Sequence, residues 1–143
     1  MDKARTILVG VDGSETSVSA LRWALQEARL RNDTVEVIHS WHFPYVGDVS
    51  GMVPFPSDVM EESAAAILSG VMTTVADDAE GVTMTRRIVS GPAAPTLIDA
   101  SSNADLLVVG RRGHGGFVSL MMGSVAHQVA THAHCPVVIV GGD

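Results

Sequence analysis

Short apolar, β-branched runs alternate with longer segments whose apolar residues recur every three or four positions, and this alternation governs what the chain can become. Thr6-Ile7-Leu8-Val9-Gly10-Val11 is the first run, and Asp12-Gly13-Ser14 turns it. Val18, Leu21, Leu25 and Ala28 then form one stripe on a helix from about Glu15 to Arg31, which Ser14 or Asp12 can cap and Asn32-Asp33 breaks. Thr34 to Trp41 reads as a second strand. His42 to Pro56 carries three prolines and two glycines and reads as a long loop, a length that in compact domains goes with function or mobility. Ser57 is expected to cap a helix reaching about Ala79, with Val59, Ala66, Ile67 and Val71 as its core stripe. Thr83 to Val89 reads as a strand closed by Gly91-Pro92, Ala94 to Asn103 as a helix, and Asp105 to Gly110 as a nearly all-apolar strand. A helix from Ser124 to about His132 and a strand from Pro136 to Val140 complete the series.

Strands that alternate with helices pair in parallel through right-handed crossovers, so helices cover both faces of the sheet. The expected fold is therefore a single α/β domain over residues 1–143, a doubly wound five-stranded parallel sheet in the order 3-2-1-4-5. Only 17% of residues are charged, below the usual quarter, which suits strands buried on both faces. No apolar stretch approaches the roughly 20 residues that span a bilayer, so no membrane partner is expected. Met1 to Arg5 runs into the first strand without an apolar signal core, and Cys135 is the only cysteine, so the expected compartment is the cytoplasm. The formal charge of −7 and the scarcity of basic pairs (Arg86-Arg87, Arg111-Arg112) argue against a nucleic-acid partner.

In such a sheet adjacent crossovers leave in opposite directions at one point, and a crevice opens there beyond the carboxyl ends of the strands. In this order the first and fourth strands flank it, ending in Gly10-Val11-Asp12-Gly13 and Val109-Gly110-Arg111-Arg112-Gly113. From Gly110, at the end of the fourth strand, to Gly123 the chain carries five glycines, with Ser124 opening the last helix. Glycine costs chain entropy, but it lets main-chain N–H groups approach phosphate oxygens closely, beside a helix N-terminus bearing about half a positive charge. The Ser124 hydroxyl can cap that helix or bond a phosphate, and Arg112 can add a charge-assisted contact.

The spacing Gly110-x2-Gly113-x9-Gly123-Ser124 resembles the ATP-binding signature of the universal stress protein family. The resemblance extends to Ile7 through Ser14 with Ser17 and Ala20-Leu21, to Val37-Ile38-His39, and to Ser124-Val125-Ala126 with His134 through Val140; residues 42–56 match least. It implies that Val11 and Asp12 lie near the adenosine, with Asp12 toward the ribose or a magnesium-bound water. It implies that the Ser40 backbone meets the adenine edge, and that Gly110, Arg112, Gly113, Gly123, Ser124 and Val125 hold ribose and phosphates. Ala126 departs from the family, where nucleotide-binding members can carry a hydroxyl, and Arg111 replaces a commoner small residue. The implied ligand is ATP, AMP or cyclic AMP, with magnesium beside the triphosphate. The implied assembly is a homodimer through the apolar edge strand Val137 to Val140, which would cover an otherwise exposed edge.

Other chemistry fits less well. Lys3 is the only lysine, so no Walker A loop exists, and neither Gly-x-Gly-x-x-Gly nor Gly-x-Ser-x-Gly occurs. His132, His134 and Cys135 lack a fourth ligand for a closed zinc site. His39 reads as a satisfied core histidine, His114 as a solvent-facing loop residue, and Phe117, Leu120, Met121 and Met122 as an apolar anchor for the glycine loop. The functional expectation is an adenine-nucleotide-binding stress regulator. The alternatives are a slow ATPase, although no general base stands out near a γ-phosphate, and a scaffold of the same fold that binds no nucleotide.

Overall fold

The computed structural model describes residues 4–41, 57–112 and 122–141. Its elements are β1 (Thr6–Gly10), α1 (Glu15–Arg31), β2 (Thr34–Trp41), α2 (Ser57–Thr74), β3 (Met84–Ser90), α3 (Ala93–Ser101), β4 (Leu106–Gly110), α4 (Ser124–His132) and β5 (Val137–Val140). The strands form one sheet in the order β3-β2-β1-β4-β5, every pair parallel, as the alternation requires. The register puts Val9 beside both Val37 and Val108, and Gly110 beside Val140.

Two apolar clusters lie on opposite faces. Ile7, Val9, Val35, Val37 and Val108 pack against Leu21, Leu25 and Ala28 of α1 and Leu68 and Val71 of α2. Leu8, Ile38, Leu107 and Val109 pack against Leu97 of α3 and Ala126 and Val129 of α4. Successive strand residues thus serve opposite cores, which is why β1 and β4 are apolar at every interior position. Burying a side chain of this size contributes about 1.5–3 kcal/mol. No helix among the described residues is long and apolar enough to cross a membrane.

α2 departs from expectation in phase and length. Ala64, Leu68 and Val71 are its buried residues, and Val75 just beyond its end continues the stripe, spaced four, three and four apart. Val59 and Ile67 are 45% and 40% exposed, and Ala66 is exposed, so only Val71 of the expected stripe faces the core. Ser57 is the first helical residue rather than the cap, and the helix ends at Thr74 instead of near Ala79. Residues 75–81 turn instead. The Arg29 Nη2 donates to the carbonyls of Asp78 (2.6 Å) and Glu80 (2.9 Å), and Arg22 pairs with Asp78 at 3.1 Å. Asp77 and Asp78 would also oppose the negative end of a longer helix. Smaller shifts of one or two residues occur at the ends of β3, α3, β4 and β5. At β4, Asp105 stays outside the strand, its carboxylate accepting from the Thr6 N–H at 2.8 Å.

Candidate functional site

The carboxyl ends of β1, β2 and β4 and the start of α4 gather at the crevice that the strand order creates. Gly10, Val11 and Asp12 reach it from β1, Ser40 from β2, Val109, Gly110 and Arg112 from β4, and Gly123, Ser124, Val125 and Ala126 from α4. Gly113, His114 and the Phe117-to-Met121 part of the apolar anchor lie outside the described residues, as does the loop of residues 42–56.

The β1–α1 corner is closed by its own hydrogen bonds. Gly13 has φ 88°, the left-handed conformation that glycine adopts without penalty. The Ser14 N–H donates to Asp12 Oδ1 at 2.9 Å, and the Ser17 N–H donates to Ser14 Oγ at 3.2 Å, the side-chain cap of α1. Ser17 Oγ in turn donates to the Ser14 carbonyl at 2.9 Å and accepts from the Asp12 N–H at 3.3 Å. The Val11 N–H donates to the Ile38 carbonyl at 3.0 Å. Asp12 is half-buried, with its carboxylate engaged at this turn.

The β4–α4 corner is built differently. The Arg111 N–H donates to the Val140 carbonyl at 2.8 Å, and the Arg111 carbonyl accepts from the Gly123 N–H at 2.8 Å. These bonds pin the base of the glycine loop, so Arg112 follows directly on the residue that touches the start of α4. Gly123 is the N-cap (φ −68°, ψ 162°) and has no side chain to cap with. Among the described residues the first-turn N–H groups at Ser124, Val125 and Ala126 therefore have no side-chain acceptor. Ser124 is the first helical residue and is exposed, so it is not the helix cap, and its hydroxyl is left to the solvent side. The Nε of Arg112 is buried without a hydrogen-bond partner among the described residues. Such an orphan costs on the order of 1–3 kcal/mol unless something else satisfies it.

Several expected site residues serve packing. A Cβ on Gly110 would stand 3.0 Å from the backbone C and O of Thr16, so this glycine lets the first turn of α1 close onto the end of β4. A Cβ on Gly10 would meet Leu97 Cδ1 at 2.6 Å, so it admits α3. Val11, Val109 and Ala126 are buried at 5%, 3% and 2% exposure, their side chains in the cores. Thr16 and Ser17 were not among the expected site residues; the Ser14-x-x-Ser17 spacing was the available signal for the second.

An open groove of about 890 Å³ lies elsewhere, between α3 and the β2–β3 face, lined by Glu36, Arg87, Val89, Pro95 and Ile98 among others. Glu36 and Arg87 pair there at 3.1 Å in partial contact with solvent. The groove's lining holds none of the expected site residues. Burial, and secondarily the Asp105 carboxylate, raise the Cys135 thiol pKa, which disfavours the reactive thiolate. Among the described residues no three His, Cys, Asp or Glu side chains are grouped to hold a metal ion.

Comparison with known proteins places this geometry. The family model described as the universal stress protein family matches residues 3–141. A universal stress protein of Mycolicibacterium smegmatis is 36% identical over 148 aligned positions, covering 96% of this chain and 48% of that protein. The chain spans about half the length of the curated relatives it matches. Two solved structures superpose over most of both chains. A universal stress protein in complex with cAMP has TM-score 0.70 and 26% identity, covering 95% of this chain and 96% of that one. A universal stress protein from Archaeoglobus fulgidus in complex with dAMP has TM-score 0.65 and 25% identity, covering 98% and 99%.

Proposed function

The chain belongs to the universal stress protein family, and we propose that it is an adenine-nucleotide-binding regulatory protein whose ligand sits in the crevice between β1 and β4. The observation that carries this reading is the open start of α4: a helix capped by a glycine, its first-turn donors without a side-chain acceptor among the described residues, while Arg112, which follows the residue bonded to the Gly123 N–H, has a buried Nε without a partner among them. A phosphate supplies what both lack, a dense set of acceptor oxygens with negative charge. The solved relatives in complex with cAMP and dAMP support adenine, a pentose and a phosphate on its 5′ oxygen as the shared part of the ligand.

In this reading the main-chain N–H groups of Ser124, Val125 and Ala126 and the Ser124 hydroxyl face the phosphates, with Arg112, Gly113 and Gly123 alongside, the Gly123 N–H itself being held by the Arg111 carbonyl. Asp12 faces the ribose, and the Ser40 backbone faces the adenine edge. Ala126 contributes no hydroxyl, which weakens the hold on a third phosphate relative to the first. Magnesium fits only as an ion carried by ATP: Asp12 is a single carboxylate already accepting from Ser14, and Mg²⁺ is held by one or two carboxylates together with substrate phosphates. Two copies pair through β5, whose far side has no partner strand among the described residues and whose four residues are all half-buried. The protein acts in the cytoplasm by changing shape or partner affinity with nucleotide.

Thermal unfolding with Mg-ATP, AMP and cyclic AMP added separately tests the reading. Ligand at about 100 times its dissociation constant adds ~2.7 kcal/mol, a rise of very roughly 5–10 °C at this size. No rise with any of the three contradicts the reading and favours the scaffold alternative. Timed phosphate release from ATP then separates a binder from a slow ATPase, and light scattering reads the dimer.

A further inference from the structure

His39 occupies a position where the sequence pattern would place another valine. Val35 and Val37 precede it on the same face of β2, both fully buried, and His39 itself is 5% exposed. A polar side chain so buried has a partner. Its Nδ1 lies 2.9 Å from the Val11 carbonyl oxygen. A carbonyl only accepts, so Nδ1 carries the proton. Val11 lies one residue past the end of β1, where its carbonyl has left the strand ladder, and His39 supplies the donor the ladder no longer gives. Val11 is thereby held from both sides, its N–H by Ile38 and its carbonyl by His39. The buried polar residues among those described are Ser17, Asp33, His39 and Ser101, and two of them, Ser17 and His39, bond the corner from Val11 to Ser14.

We propose that His39 is a positioning residue of the nucleotide site: by donating its Nδ1–H to the Val11 carbonyl it fixes how the chain leaves β1 and so where Asp12 stands against the ribose. This rests on the nucleotide reading above. A side chain without a donor at position 39 leaves a buried carbonyl unsatisfied, and the corner relieves that by turning the carbonyl outward and displacing Asp12. Asparagine carries its amide nitrogen the same number of bonds from Cα as Nδ1 and keeps the donor.

The test measures AMP affinity by calorimetry in full-length wild type, His39→Leu, His39→Asn and Ser101→Ala. Ser101 is fully buried and bonds the Ile98 carbonyl and the His134 N–H at the far end of α3, so its loss reports destabilisation without touching the crevice. His39→Leu is expected to bind AMP about tenfold more weakly, while His39→Asn stays within about twofold of wild type. Ser101→Ala is expected to lower the melting temperature with AMP affinity unchanged. Should His39→Leu not fold, the His39→Asn affinity and the nitrogen-15 spectrum of wild type decide: an affinity loss in His39→Asn matching a donor-less side chain, or a neutral ring protonated at Nε2 instead, overturns the role. Wild type that binds AMP while His39→Leu binds as tightly overturns the positioning role alone. Wild type that takes up neither AMP nor Mg-ATP overturns the nucleotide reading, and the positioning role with it.

Discussion

The two lips of the crevice solve the same local problem in opposite ways. At the β1–α1 lip the chain leaves a strand and enters a helix with its turn hydrogen-bonded by Asp12, Ser14 and Ser17. At the β4–α4 lip the helix begins on a glycine, and among the described residues its first-turn donors have no side-chain cap and the buried Arg112 Nε has no partner. Side chains such as Ser, Thr, Asn and Asp would cap α4 as readily as Ser14 caps α1, so an uncapped start is a local rule broken. Rules of that kind are broken where function occupies the position. The first lip closes with its own side chains, and in the proposed reading the second is completed by a ligand.

Substitutions can break this contrast from either side. Gly110→Val has the largest expected effect: the new side chain meets the Thr16 backbone, which cannot swing aside, at 3.0 Å. A loss of about 3 kcal/mol is expected from such overpacking, seen as a fall in melting temperature together with loss of nucleotide binding. Gly123→Asp leaves the fold within a few tenths of a kcal/mol, since φ −68° suits any residue and aspartate caps at least as well as glycine. Its carboxylate occupies the donors and repels phosphate, so AMP affinity falls by roughly 10- to 100-fold. Arg112→Met removes the orphaned nitrogen, so the free protein melts no lower than wild type while AMP binds about tenfold more weakly. Ser14→Ala strips the capped lip and costs about 1 kcal/mol, or roughly 3–5 °C. Its effect on AMP affinity is smaller than that of either change at the second lip.

The sheet was legible because each strand is a compact β-branched run and the crossover rule leaves few orders to choose among. α2 was less so. Apolar residues lie all around Val59, Ala64, Ala65, Ala66, Ile67, Leu68 and Val71, and two stripes one residue apart in phase are available. The neighbouring packing chose the stripe containing Leu68, a choice no local pattern encodes. The glycines at the crevice were legible as glycines, yet the reason for Gly110 is the approach of Thr16, 94 positions earlier in the chain. His39 was legible as a satisfied core histidine; that its partner is the carbonyl leading into Asp12 depends on the pairing of β1 with β2. The glycine spacing from Gly110 to Gly123 drew attention to the β4–α4 corner, and the absence of a side-chain cap there is visible only once Gly123 is seen to be the N-cap instead of Ser124.

The most direct test compares backbone amide shifts on adding AMP and adenosine to nitrogen-15-labelled protein. Both ligands should move the amides of Asp12 and Ser40. AMP alone should move Ser124, Val125 and Ala126 strongly downfield, the mark of new hydrogen bonds to phosphate at the start of α4. Saturating AMP that leaves those three amides where adenosine leaves them would contradict the account.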